Sequence, residues 1–166
     1  MIILVAGVAG SGKTTVGRLL AARLDCEFAD GDMLHPAANV AKMEGGAPLT
    51  DADRWPWLRI IGDWMDQRIA LGKTAVIACS ALRRAYRETL VEGRPDARLA
   101  FLEISRAVAA DRLGARHGHF FPARLLNSQF RDLEPPDPAE HLIIIDASQP
   151  ADAMADEIIG RLSDGS

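Results

Sequence analysis

IILVAGVAGSGKT, Ile2 to Thr14, decides the fold. Ile2 to Ala6 form a continuous apolar run rich in β-branched residues, the pattern of a strand buried on both faces. Directly after it, GVAGSGKT (Gly7 to Thr14) satisfies GxxxxGK(S/T) in full, and Val16, Leu19, Leu20 and Leu24 then recur at helical spacing. Strand, glycine-rich loop and amphipathic helix in that order make a phosphate-binding loop. The glycines let the backbone wrap closely round phosphate oxygens, and successive N–H groups with the positive end of the helix supply donors for the anion. Lys13 adds a point charge over the β- and γ-phosphates, and the Thr14 hydroxyl is placed to ligate Mg²⁺. Gly7, Val8, Ala9, Gly10, Ser11, Gly12, Lys13, Thr14 and Thr15 are therefore the expected nucleotide-binding residues. No GxGxxG is present, which sets the dinucleotide-binding fold aside.

Outward from the loop the pattern repeats. AVIAC (Ala75 to Cys79), LAFLEI (Leu99 to Ile104) and HLIIID (His141 to Asp146) are apolar runs of strand length, each followed by a helical pattern, with a weaker strand around Glu27 to Ala29. Strands alternating with helices predict right-handed crossovers and a parallel sheet covered on both faces. The expected fold is α/β, three layers round a parallel sheet of about five strands, in a single domain over 1–166. Usage of 48% hydrophobic and 25% charged residues is ordinary for a globular chain. No apolar run approaches the roughly 18 to 20 residues that span a bilayer, and MIILVAG is too short for a leader, so no membrane partner is expected. Cys26 and Cys79 lie far apart and form no CxxC, which fits reduced thiols in a cytoplasmic setting. A formal charge of −4 disfavours broad binding to nucleic acid and favours a small-molecule partner.

A phosphate loop specifies a nucleotide, not a reaction. AVIAC ends in Cys79 and is followed by Ser80, where many such proteins carry a Walker-B aspartate on Mg²⁺, so the carboxylate has to come from elsewhere. FADGDMLHPAANVAKM, Phe28 to Met43, offers Asp30 and Asp32 at the carboxyl end of the second strand, the sheet edge where ligands bind in open α/β folds. One carboxylate would reach the magnesium shell and the other would face an acceptor hydroxyl. Phosphoryl transfer needs that division of labour, with in-line positioning and charge neutralisation supplying the rest. An Asp-Gly-Asp turn that caps the next helix is the other reading, since short polar residues do this routinely.

DGDMLHPAANVAKM, GGAPLTDADRWPWL (Gly45 to Leu58), CSALRRAYRETL (Cys79 to Leu90) and GHFFPARLLNSQFRDLEPP (Gly118 to Pro136) closely resemble, in that order and spacing, the bacterial gluconate kinases, the small phosphate-loop gluconokinases. With the N-terminal motif, the resemblance covers essentially the whole chain. It implies phosphorylation of the 6-hydroxyl of D-gluconate by ATP and Mg²⁺, giving 6-phospho-D-gluconate. It also implies the phosphate-loop kinase fold of adenylate and shikimate kinases, a homodimer, a helical acceptor-binding insertion over about 33–72 and a lid over about 112–131.

The remaining polar residues can be read for that task. Asp30 joins Thr14 on the metal, and Asp32 faces the acceptor hydroxyl. Gluconate carries a carboxylate at one end, so its site needs an anion clamp. Arg83 and Arg84 follow AVIACSAL just past a strand's carboxyl end, where a guanidinium meets a carboxylate bidentately. Arg83 is favoured, while Arg84 and Arg87 read equally well as the solvated face of the next helix. His35, before Pro36, reads alone as a helix-start residue, and Arg54 as a surface partner for Asp51 or Asp53. The resemblance assigns both to acceptor binding. Arg112 and Arg116 are four apart, on one face if the helix continues. Their DRxxxR setting resembles the start of the lid in adenylate-kinase relatives, with Arg112 over the adenine and Arg116 on the transferring phosphates. The catalytic set is then Lys13, Asp32 and Arg116, with His119 and Gln129 as acceptor contacts at the lid's inner side. DASQPADA, Asp146 to Ala153, is expected near the adenine, and Trp55, Trp57 and Trp64 are expected in packing or a dimer surface.

Overall fold

β1 (Ile2–Ala6) is the middle strand of a five-stranded sheet in the computed structural model, which describes residues 1–115 and 123–164. The order is β2-β3-β1-β4-β5, with β2 at Glu27–Asp30, β3 at Ala75–Ala78, β4 at Ala97–Glu103 and β5 at Ile143–Asp146. All four pairings are parallel, and Ile3 stands in register with Val76 on one side and Arg98 on the other. Every residue of β1 is fully buried, which is why its sequence is continuously apolar and does not alternate.

The pleat divides the core in two. Ile2, Leu4 and Ala6, with Ala75, Ile77 and Phe101, pack against Trp57, Leu58, Ile61 and Met65 of α3 (Asp51–Ala70) and Tyr86 and Leu90 of α4 (Arg84–Val91). Ile3 and Val5, with Val76, Ala100 and Leu102, pack against Val16 and Leu20 of α1 (Lys13–Arg23) and Met154 and Ile158 of α7 (Ala151–Asp164). Helix α2 (Ala37–Glu44) stands with α3 between β2 and β3, while α5 (Arg106–Gly114) and α6 (Ala123–Asp132) stand between β4 and β5. β2 was the weak strand in the sequence because it is short and pairs only with β3, leaving Glu27 exposed.

Two helix starts matter for the site. Gly12, at φ 96°, caps α1 with no side-chain hydrogen bond, and no acid lies in the first turn, so the N-terminal amides face an anion's position. Helix α3 begins with a reciprocal capping box between Thr50 and Asp53, which fixes the turn carrying Arg54 and Trp57.

One expectation is corrected. Arg87 is not on a solvated helix face: it is 1% exposed, pairs with Glu140 at 2.7 and 2.8 Å, and donates to the carbonyls of Ala81, Leu82 and Glu134. Arg84 does lie at the surface, paired with Glu88. The difference arises because the chain after α6 returns across α4, a tertiary contact that helical spacing cannot reveal. Breaking such a buried pair from one side costs about 3–5 kcal/mol.

Candidate active site

The phosphate loop crosses the carboxyl ends of β1, β3 and β4. A side chain at Gly7 would sit 2.8 Å from the Leu102 carbonyl oxygen, so the loop hugs β4 as only glycine allows. Ser11 is buried and donates to the Val8 carbonyl at 2.8 Å, and Lys13 Nζ donates to the same oxygen at 2.9 Å. Thr14 donates its hydroxyl to Asp30 Oδ2 at 2.9 Å, and Asp30 Oδ1 accepts from the Asp32 amide at 3.1 Å. Asp30 is thus both the cap of the Gly31–Leu34 turn and the carboxylate beside the loop threonine. Gly31 between the two aspartates has no room for a side chain, since a Cβ would lie 2.5 Å from the Ala78 carbonyl oxygen. Its own carbonyl accepts from the Trp57 indole N–H at 2.7 Å.

Two cavities meet above this turn. The first is lined by Ala9, Gly10, Gly12, Lys13, Thr14 and Leu113, and the second by His35, Arg54, Trp57, Leu82, Tyr86, Leu125 and Ser128 among others. Asp32, Ser80 and Gln129 line both. The second cavity, of about 270 Å³, suits one small molecule. A third, beside Thr15 and Arg112, is also lined by Gln149, Pro150, Ala151 and Met154, and Arg112 donates to the Ser148 carbonyl at 3.3 Å. The segment after β5 therefore lies next to Arg112, as an adenine site would require.

His35 stacks on Trp57, with ring centroids 4.1 Å apart and 17° between planes. Its Nδ1 faces the Asn39 amide nitrogen at 3.2 Å, and that nitrogen also donates to the Asp53 carbonyl at 2.9 Å. An amide NH₂ can only donate, so Nδ1 accepts and the ring proton sits on Nε2. Burial holds the His35 pKa below its ordinary value, against the pull of Asp32. Burial likewise pushes the Cys79 thiol up to about 12, which leaves it a protonated packing group.

The arginines are distributed differently from expectation. Arg54 lines the second cavity, while Arg83 is absent from its lining among the described residues. Arg83 stands at the cap position of α4 and pairs with Asp51 at 2.8 Å and Asp132 at 3.5 Å. Arg54 pairs with Asp132 at 3.0 Å and neither with Asp51 nor with Asp53, which instead bonds Lys42. Tyr86 joins the cluster, its hydroxyl bonded to the Asp51 carboxylate and 3.4 Å from Arg54 Nη1. Helix α5 ends at Gly114, and the expected Arg116 and His119 lie outside the described residues. Gln129 Oε1 accepts from the Ala9 amide at 2.6 Å, on the phosphate loop itself.

Comparisons with known proteins give the family and the fold. The family described as "AAA domain" matches residues 2–136. The gluconokinase of Gluconobacter oxydans (strain 621H) is 46% identical over 157 residues, 95% of this chain and 88% of the relative. The thermoresistant gluconokinase of Escherichia coli (strain K12) is 39% identical, covering 96% of this chain and 91% of the relative. This chain belongs to the gluconokinase family. A gluconokinase structure from Sinorhizobium meliloti 1021 matches at TM-score 0.87 and 41% identity, over 98% of this chain and 93% of that one. Shikimate kinase from Aquifex aeolicus vf5 matches at TM-score 0.61 and 18% identity, over 99% of this chain and 98% of that one, an agreement of fold alone. The expected α/β phosphate-loop kinase fold is the fold observed.

Within this gluconokinase-family site, Thr14 and Asp30 are a donor set that fits Mg²⁺. A hydroxyl and one carboxylate leave the remaining positions to phosphate oxygens and water, the usual arrangement for this hard, reluctantly dehydrated ion. Among the described residues no group of three or more His, Cys, Asp and Glu could hold a metal, so no all-protein cage competes with that pair. Tyr86 and Asp132 were not singled out from sequence, and Ser80 and Asp51 were named there only as the end of a strand and as a partner for Arg54. Ser80 had a signal, its place just past β3, whereas Asp132 becomes visible only when α6 is docked on α3 and α4. No helix among the described residues is long and apolar enough to cross a membrane.

Proposed function

We infer that the protein transfers the γ-phosphoryl group of ATP to the 6-hydroxyl of D-gluconate, giving 6-phospho-D-gluconate and ADP. The observation that carries this reading is the junction of a phosphate-loop cavity with a small polar cavity at Asp32, Ser80 and Gln129. The gluconokinase relatives supply the identity of the acceptor.

The residues divide the work as follows. The amides of residues 7–15 and Lys13 hold the phosphates, and Arg112 with the segment after β5 flanks the adenine. Thr14 and Asp30 would hold Mg²⁺, which neutralises charge on the β- and γ-phosphates when bound. Asp32 orients the acceptor hydroxyl and takes its proton as the new O–P bond forms and the bond from Pγ to the bridging oxygen breaks, ADP leaving with that electron pair. His35, through Nε2–H, and Arg54 position the polyol and its carboxylate. Gln129 stands between the two substrates. Arg116 and His119 remain proposals on the strength of the resemblance, as do the insertion over about 33–72, the lid over about 112–131, the homodimer and a cytoplasmic location.

ADP formation from ATP and Mg²⁺ with gluconate, shikimate, AMP or no acceptor tests the reading. Strong stimulation by gluconate alone is expected, and stimulation by another acceptor in its place would overturn it.

A further inference from the structure

Helix α6 touches both halves of the site through two residues three apart on one face. Gln129 holds the Ala9 amide of the phosphate loop at 2.6 Å, and Asp132 holds Arg54 of the acceptor cavity at 3.0 Å. Each contact uses a group that a substrate needs. Ala9 N–H belongs to the cradle for phosphate oxygens, and Arg54 is the cation among the described residues lining the acceptor cavity.

We propose that Asp132 is a specificity-determining residue, an internal carboxylate that an acceptor's own carboxylate must replace on Arg54, and that α6 transmits this exchange to the phosphate loop through Gln129. The inference rests on the functional reading above. Arg54 and Asp132 side chains are each only 14% exposed, and the second Arg54 nitrogen is engaged by Tyr86. An acid entering with Asp132 in place would meet a neutralised guanidinium and the negative Asp32, and would lose its hydration without gaining a partner. Exchange of one carboxylate for another keeps the charge on Arg54 balanced, so an acid can take the place and a neutral polyol cannot.

The displaced carboxylate has somewhere to go. Asp132 Oδ1 already lies 3.5 Å from Arg83 Nη2, so Arg83 receives the side chain that Arg54 releases. This gives Arg83 a role without contact with the acceptor. Loss of the tether to Arg54 also loosens the grip of α6 on the phosphate loop, because Gln129 sits one turn back on the same helix. By linkage the effect is reciprocal: nucleotide phosphate that takes the Ala9 amide frees Gln129 and lowers the cost of displacing Asp132.

The test is titration of D-gluconate, and of D-glucitol as its neutral counterpart, into wild type and Asp132→Asn, with and without Mg²⁺ and a non-hydrolysable ATP analogue. Wild type should bind gluconate more tightly once the nucleotide is present. Asp132→Asn should bind it about fivefold or more tighter without nucleotide, with KM falling in parallel, and the nucleotide's effect should shrink towards none. A purely structural role for Asp132 would instead weaken binding. Binding no tighter than wild type, with the nucleotide effect intact, overturns the proposal. Should Asp132→Asn fail to fold, hydrogen exchange on wild type decides: gluconate alone should lower protection of the Ala9 amide, and unchanged or higher protection overturns it. Wild type that makes no ADP with gluconate overturns the functional reading and this inference together, whereas normal turnover without coupling overturns the inference alone.

Discussion

Thr14 and Asp30 are joined by a 2.9 Å hydrogen bond from the loop hydroxyl to Oδ2, while Oδ1 of the same carboxylate caps the Asp32 amide. The cap and the proposed metal carboxylate, alternatives in the sequence, are therefore compatible in one residue, which has an oxygen for each duty. Asp30→Asn separates the duties, since the amide oxygen can still accept from the Asp32 N–H but the charge is gone. The Mg²⁺ concentration for half-maximal activity should rise about tenfold or more, the equivalent of some 1.4 kcal/mol at the metal. A Mg²⁺ titration at fixed ATP checks this, and a wild-type requirement would leave Asp30 as a cap only.

Asp32 has no such second duty. Its side chain lines both cavities and is exposed to them, and its backbone is fixed by the Asp30 cap and by Trp57 on the Gly31 carbonyl. Asp32→Asn should lower turnover about 10²- to 10⁴-fold while nucleotide binding persists. Fluorescent-nucleotide titration beside steady-state kinetics separates the two, and near-normal turnover would remove Asp32 from the chemistry.

The fold was legible because its signals are local. A strand buried on both faces must be continuously apolar, and a loop that wraps phosphate must carry glycines where Gly7 approaches Leu102. The nucleotide half of the site inherits that legibility, and so does the Asp30–Asp32 turn at a strand's carboxyl end. The acceptor half does not, because its charge pattern comes from helices brought together late in the chain. Arg83 and Arg87 follow the same strand and look alike in sequence. In the fold one pairs with Asp51 and Asp132, and the other is sealed beneath Glu140.

That difference makes the anion clamp a test of placement. Arg54 lines the acceptor cavity and Arg83 does not, so Arg54→Met should raise KM for gluconate about 10- to 100-fold, the loss of a charge-assisted pair. Arg83→Met should change it much less. Steady-state kinetics on both variants, with urea unfolding to confirm that each is folded, would show the reverse ranking if Arg83 were the clamp.

His35 carries a pH dependence whose sign follows from its surroundings. Burial lowers its pKa from 6.5, with Arg54 adding to the effect and Asp32 opposing it, so the unfolded chain takes up the His35 proton at a higher pH than the folded one. The stability from keeping the ring neutral is then complete above about pH 6.5 and is lost as pH falls towards the folded value. Protonation also turns Nδ1 into a donor facing the Asn39 NH₂ at 3.2 Å, two donors opposed. His35→Phe keeps a ring for Trp57 to stack on and removes the titration. Between pH 7.5 and 5.5 the urea midpoint of wild type should therefore fall more than that of His35→Phe. Parallel midpoints for the two proteins would show that His35 does not report the pH, and KM for gluconate in His35→Phe, expected to rise, measures its separate part in holding the acceptor.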